Sequence, residues 1–145
     1  MKIGGILFFV IAVLFFIGYK VFRPENVRIL EEFEFSNGDW KLTKGYSGDS
    51  VQYVITDRAE LEKIKDEWVL TATDRNFATT GGYNILLYKD GERVLFMDLI
   101  IATEQDYFKP GILYHSGIGT LAYPNLLWLK KGHWKREVKR NGSYK

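Results

Sequence analysis

Apolar and polar residues alternate along residues 27–55, and this period of two is typical of half-buried strands. The segment VRILEEFEF (27–35) presents Val27, Ile29, Phe33 and Phe35 on one face. After the Asn37-Gly38 turn, WKL (40–42) continues the apolar face of a return strand, and VQYVI (51–55) adds a third. These residues therefore predict three strands connected by turns.

The pattern becomes helical after Asp57. Asp57, with Glu60 three residues later, is a capping-box signal for a helix N-terminus. Leu61, Ile64 and Trp68 then form an apolar stripe at helical spacing. We predict a helix that covers one face of the sheet with this stripe.

Further strands are predicted in the second half of the chain. NILLY (84–88) and RVLFMDLII (93–101) are joined by an Asp-Gly turn, and because they are apolar on both faces they belong in the middle of the sheet. GILYH (111–115) predicts another strand. The C-terminal LLWLKKGHWKREVK (126–139) predicts a hairpin that turns at Lys131-Gly132, with a helix over 125–131 as the alternative.

The chain opens with an apolar segment that predicts a membrane anchor. Residues 3–19 contain no charge, and twelve of these 17 residues are Ile, Leu, Phe or Val. As a helix they span about 25 Å, and residues 20–22 extend that length toward the roughly 30 Å of a bilayer core. No A-x-A-like cleavage site or lipobox cysteine follows, which favours an uncleaved signal-anchor at 1–22 over a removed signal peptide.

The anchor sets the predicted domain organisation. Residues 23–26 form a linker of about 13 Å at most, and residues 27–145 form a single domain, with a basic C-terminal hairpin or tail, held close to the inner or plasma membrane. The predicted fold class is α+β: one N-terminal transmembrane helix, then a small, mainly antiparallel sheet domain with one main helix packed on it. Two positive charges before the span and three after it nearly balance, and the export-signal layout favours an extracytoplasmic domain over a cytoplasmic one.

The composition narrows the chemistry. The chain has no cysteine, which excludes disulfides, thiol catalysis and Cys-ligated zinc. Its net charge of +2 hides an asymmetry: residues 25–125 carry 10 Lys or Arg against 17 Asp or Glu, whereas residues 126–145 carry seven against Glu137 alone. The body is acidic and the tail is basic.

Candidate catalytic groups are few. His115 and His133 lie in different predicted elements, so no metal site is expected, and no cofactor is expected either. His133 is placed at an exposed turn, and His115 is expected to face water or to make one hydrogen bond. Asp98 is a carboxylate inside an apolar strand and becomes a candidate perturbed carboxylate if its face is buried. The simpler expectation is that Asp98 faces solvent or pairs with a Lys or Arg across the hairpin.

The basic tail is the best binding signal. Its candidate binding residues combine cations with tryptophan: Trp128, Lys130, Lys131, Trp134, Lys135, Arg136, Lys139 and Arg140. This combination suits anionic lipid head groups, a protein or polyanion partner, or, for a cytoplasmic domain, nucleic acid. The simplest alternative is that the basic tail pairs with the acidic body of the same chain or is a solvated strand end.

One local layout resembles a known group. YVITDRAELEKIKDEW (53–68), followed by ILLYKDGERV (85–94), resembles the strand–helix–hairpin layout of small envelope domains in bacterial lipoproteins. This chain lacks the lipobox cysteine of that group. The resemblance therefore implies neither a function nor a site.

Together these features predict a non-catalytic, membrane-anchored interaction module of a bacterial-type envelope. It would bind a protein partner, either as an accessory subunit or as an immunity-type inhibitor. The alternative is a lipid- or small-ligand-binding domain that uses the basic tail at the membrane surface. An enzyme that uses Asp98 or His115 is the third hypothesis.

Overall fold

Residues 25–75 and 82–139 form a single sheet with one α-helix packed on it. In a computed structural model, the described residues are Ile11 and residues 25–75 and 82–139. The last two ranges form nine strands: β1 (Asn26–Arg28), β2 (Trp40–Tyr46), β3 (Val51–Ile55), β4 (Val69–Ala72), β5 (Tyr83–Lys89), β6 (Glu92–Leu99), β7 (Gly111–His115), β8 (Gly119–Tyr123) and β9 (Lys135–Val138). The α-helix, α1, is Arg58–Glu67, and two 3₁₀ helices are Glu104–Phe108 and Leu127–Lys130.

The strand order explains which strands are central and which are at the edges. It is β1-β4-β8-β7-β6-β5-β2-β3-β9, and all of these neighbours pair antiparallel. The predicted central position of β5 and β6 is confirmed. Of the strands that the structure describes, β1 and β9 are the two edge strands.

The β5–β6 hairpin follows from its turn sequence. Asp90 and Gly91 have φ angles of 52° and 85°, the two positive values that a tight hairpin turn requires. Glycine adopts such an angle without strain, and aspartate tolerates it better than most residues. The predicted Asp-Gly hairpin is therefore confirmed.

Helix α1 begins at its predicted cap. The Asp57 carboxylate accepts a hydrogen bond from the backbone N–H of Glu60 at 2.9 Å. The second half of the predicted capping box is wrong, because the Glu60 carboxylate accepts from the backbone N–H of His133 instead. Leu61, Ile64 and Trp68 are buried, as the apolar stripe predicts.

The core lies between α1, the loops beside it and one face of the sheet. Alternate residues of the strands supply it, because successive side chains of a strand point to opposite faces. Its fully buried members from the strands include Leu42, Ile85, Leu87, Met97, Leu99, Leu113 and Leu121.

The segment 27–35 is not the strand that its alternation predicts. Only Asn26–Arg28 is extended, and the chain then turns, with Glu31 N–H donating to the Arg28 carbonyl and Phe33 N–H to the Leu30 carbonyl. The turn buries Leu30 together with Ile29, although these neighbours would face opposite sides of a strand. Local packing has replaced strand pairing here.

The C-terminal hairpin is also wrong. Leu127–Lys130 is a 3₁₀ helix, and β9 pairs with β3, from the first half of the chain. A four-residue 3₁₀ helix is closer to the alternative helix than to a strand. Strands β4 and β8, which the sequence did not predict, pair with each other, and β8 also pairs with β7.

The fold class is corrected accordingly. Among the residues with a described position, no helix is long and apolar enough to cross a membrane. The structure therefore does not support the predicted transmembrane helix, and the membrane location drawn from it is withdrawn. Across residues 25–75 and 82–139, the supported fold is an antiparallel sheet of nine strands with one α-helix. Apart from Ile11, the predicted signal-anchor 1–22 lies outside the described residues, and the single-domain prediction for 27–145 stays a prediction.

Candidate functional site

The two tryptophans of the basic tail are partly buried and pack against the core. The Trp128 ring packs edge-on against Trp68 with ring centroids 4.8 Å apart, and Trp134 stacks on Trp68 at 6.4 Å. Trp68 is fully buried at the end of α1. Its indole N–H and that of Trp128 are buried without an acceptor among the described groups. We infer that Trp128 and Trp134 stabilise the fold.

A buried lysine that the sequence did not reveal fixes the tail to the sheet. Lys44 of β2 donates a hydrogen bond from its ammonium to the Leu129 carbonyl and lies 4.0 Å from the centre of the Trp134 ring. Burial, and secondarily the charge of Lys130, lower the pKa of Lys44 to about 8. The sequence does contain an indication of this burial. Lys44 alternates with Trp40 and Leu42 along β2, so its side chain lies on the same face as theirs.

Three of the tail's lysines bind groups of their own chain. Lys130 pairs with Glu104, and Lys131 lies 3.9 Å from Glu67. Lys139 donates to the Tyr46 carbonyl at 2.6 Å. Lys130 and Lys131 therefore make the pairs with the acidic body that were predicted as the simplest alternative, whereas Lys139 bonds to a backbone carbonyl.

The remaining described cations of the tail, Lys135 and Arg136, are exposed on β9. Within residues 25–75 and 82–139, neither of them makes an ion pair. Arg140, the last predicted binding residue, lies outside the described residues. The seven predicted binding residues that the structure describes thus form three groups: two tryptophans packed against the core, three lysines with intrachain contacts, and Lys135 and Arg136, which make no ion pair within the described residues.

Apolar side chains lie beside these two cations. Val138 is 60% exposed and Tyr53 of the neighbouring β3 is 44% exposed. Arg136 pairs with Tyr53 in the strand register, so Val138, Arg136 and Tyr53 present their side chains to the same face of the sheet. We call Tyr53, Lys135, Arg136 and Val138 the β9 edge surface.

Polar contacts hold β9 in place from the opposite face. Glu137 accepts from the ammonium of Lys41 at 2.5 Å and from the side-chain amide of Gln52 at 2.7 Å. These contacts reach from β9 across β3 to β2. They lie in an open groove of about 830 Å³. The lining residues that the structure describes include Thr43, Arg58 and Tyr88 as well.

The candidate catalytic residues Asp98 and His115 lie away from this groove. Asp98 is 7% exposed, and the side-chain amide of Asn84 on β5 lies 3.3 Å from its carboxylate. No Lys or Arg of the described segments pairs with Asp98, so the simpler expectation of solvent exposure or a cationic partner is wrong. The described lining of the groove contains neither Asp98 nor His115.

The two histidines are in contrasting environments. His115 is fully buried, and its Nδ1 accepts from the Gly117 backbone N–H at 3.1 Å, so Nε2 carries the proton and points toward the Ile29 carbonyl at 3.4 Å. Burial lowers the pKa of His115. Of the two expectations for His115, exposure to water is wrong and hydrogen bonding is what the structure shows. His133 is exposed as predicted, and its Nδ1 lies 3.0 Å from the Glu60 carboxylate.

No arrangement of these groups forms a metal site in the described part of the chain, where no three His, Asp or Glu residues cluster. The hydrogen bond from His133 lowers the pKa of Glu60, and this contact ties the loop before β9 to the start of α1. His115 and His133 therefore have local structural contacts that account for their positions.

Comparison with known proteins adds no further constraint: no protein-family model, no curated protein and no solved structure matches this chain. Function must therefore be argued from the site alone.

Proposed function

We propose that this chain is a non-catalytic interaction module that binds a protein partner through the β9 edge surface. The observation that carries this proposal is the combination of exposed Val138 and Tyr53 with two cations that make no ion pair inside the described domain. The other described cations of the tail are occupied by their own chain. The free cations and the exposed apolar side chains coincide at one edge of the sheet.

The chemistry of the β9 edge surface is that of a protein interface. Aromatic residues and arginine are enriched in interfaces, where Tyr and Arg supply much of the binding energy. Unpaired cations at the rim attract an acidic partner and orient it. Because β9 is held by Glu137 across to β2, this surface is already ordered before a partner arrives, which lowers the entropy cost of binding.

The test is a quantitative pull-down that compares three forms of the full chain: the wild type, Lys135→Glu/Arg136→Glu, and the matched control Lys63→Glu/Arg93→Glu. Lys63 and Arg93 are exposed and lie on α1 and β6, so both variants change the net charge by the same amount. We expect specific proteins that the wild type and the control both retain and the edge variant loses. An identical set of proteins on all three forms would refute the proposal.

A second candidate function is the binding of a small ligand in the groove on the opposite face. Its volume of about 830 Å³ lies within the range of ligand pockets, roughly 300–1,000 Å³. Thr43→Trp introduces a large side chain on the groove lining and should abolish such binding. Thr43 lies on β2, whereas the described lining of the groove meets the β9 edge surface only at Val138. Ligand screening by thermal shift on the wild type and this variant separates the two functions, because only a groove ligand loses its effect in Thr43→Trp.

A further inference from the structure

The backbone of β9 has one side that the domain does not use. The backbone N–H of Lys139 donates to the Ser50 carbonyl at 2.8 Å. Because the direction of N–H and C=O groups alternates along an antiparallel strand, those of Arg136 and Val138 point away from β3. Within the described residues, neither of these N–H groups makes a backbone hydrogen bond. An extended segment can therefore add to this edge with ordinary sheet hydrogen bonds.

The opposite edge of the sheet is less suited to such an addition. Strand β1 has only three residues, Asn26–Arg28, and the Arg28 guanidinium lies 3.4 Å from the Asp66 carboxylate. At β9, by contrast, both exposed cations lack an intrachain carboxylate in the described domain. The β9 edge is the more favourable one for an acidic segment.

A second copy of this chain is a poor occupant of the edge. Two β9 strands placed side by side would bring Lys135, Arg136 and Lys139 of one copy against the same cations of the other. Like charges directly opposite each other across paired strands are destabilising. Charge complementarity therefore favours a segment that carries Asp or Glu.

We propose that an extended, acidic segment of the partner joins the sheet beside β9 as an additional strand. This inference rests on the proposed function and specifies its mode of binding. The segment's backbone bonds to the outward N–H and C=O groups of Arg136 and Val138. Its carboxylates pair with Lys135 on one face of the sheet and with Arg136 on the other, and its apolar side chains lie against Val138 and Tyr53.

Charged side chains on an edge strand also protect it from unwanted pairing. If Lys135 and Arg136 had only this protective role, no segment would be accepted at the edge. The experiment therefore has to detect backbone pairing as well as charge attraction.

The experiment selects twelve-residue peptides from a random display library on the full chain. We expect enriched peptides that carry adjacent Asp or Glu residues, one for each face of the sheet, beside apolar residues. We also expect at least tenfold weaker binding to Lys135→Glu/Arg136→Glu than to Lys63→Glu/Arg93→Glu. Recovery of no peptide that depends on the edge charges would overturn the inference, and the pull-down would then judge the proposed function independently.

Backbone pairing is tested with N-methylated forms of the best peptide. In a strand, only every second N–H faces the neighbouring strand, so N-methylation in one register should weaken binding at least tenfold and in the other register less than threefold. Val138→Pro, which removes an outward N–H, should also weaken binding relative to Val138→Ala. Equal effects of the two methylation registers would refute strand addition while leaving a charge-dependent interface intact.

Discussion

Glu137 of β9 accepts a hydrogen bond from the ammonium of Lys41 of β2 at 2.5 Å, although β3 lies between these two strands. Strand β9 has only four residues and hydrogen-bonds to the sheet along one side. The Lys41–Glu137 pair adds a side-chain connection across the neighbouring strand. It helps to hold the β9 edge surface in a fixed position.

Removal of this connection should loosen β9 selectively. We expect Glu137→Ala to lower the free energy of unfolding by about 0.5–1 kcal/mol, because partly exposed ion pairs contribute little each. Hydrogen exchange at the Lys139 amide should accelerate by more than the decrease in the free energy of unfolding explains. The control is Glu62→Ala at an exposed position of α1, and equal exchange in the two variants would contradict the role of Glu137.

The predicted binding residues should separate into structural and interfacial groups. Trp128→Ala should lower the free energy of unfolding by about 3–4 kcal/mol, since it removes a large side chain packed on buried Trp68. Lys135→Gln/Arg136→Gln should change it by less than about 0.5 kcal/mol, as is usual for exposed positions. Chemical denaturation measures both, and a large loss in the double Gln variant would show that these cations stabilise the fold.

Lys44 should give the protein a stability that rises with pH in the mildly alkaline range. Its pKa of about 8 in the folded state is below the ordinary lysine pKa of 10.5, so between these values the unfolded state binds more protons than the folded state. The cost of burying the charged form is fully present below about pH 8 and is relieved as the pH rises. Urea unfolding between about pH 7.5 and 9.5 should show this rise in the wild type and not in Lys44→Met.

The exposed Lys63→Met variant is the control for Lys44→Met, and it should follow the wild-type slope. Parallel curves for the wild type and Lys44→Met would contradict the burial of the ammonium.

His115 should make the protein lose stability as the pH becomes acidic. Burial lowers its pKa, so the folded state resists protonation, and stability is lost as the pH falls below the ordinary histidine value of about 6.5. His115→Leu removes the groups that bond Gly117 N–H and face the Ile29 carbonyl. We expect a lower free energy of unfolding at about pH 7.5 and a shallower decline toward pH 5. An unchanged acid slope would show that the pKa of His115 is the same in the folded and unfolded states, which would contradict its burial as a neutral group.

The elements that the sequence predicted well are those with local signals. Asp57 caps α1 through its own neighbour Glu60, and Asp90-Gly91 adopts the positive φ angles of its turn without outside help. By contrast, β9 is a strand because residues far away in the sequence, at β3, accept its hydrogen bonds. No periodicity within residues 126–139 can report such a partner.

The candidate site shows the same limit. A run of cations and tryptophans marks the tail in the sequence, but it does not reveal that Trp128 and Trp134 share Trp68 or that Lys130 and Lys131 have carboxylate partners. Those partners lie between 26 and 66 residues away in the chain. Only the assembled fold distinguishes Lys135 and Arg136 from their neighbours.

The most direct test of the proposed interface is site-specific photo-crosslinking in the source cells. A photoreactive amino acid replaces Val138 in one form of the full chain and Val94, an exposed valine of β6, in the other. We predict that the probe at position 138 yields a defined cross-linked protein, that Lys135→Glu/Arg136→Glu abolishes the product, and that the probe at position 94 does not yield it. No product from position 138, or the same products from both positions, would contradict binding through the β9 edge surface.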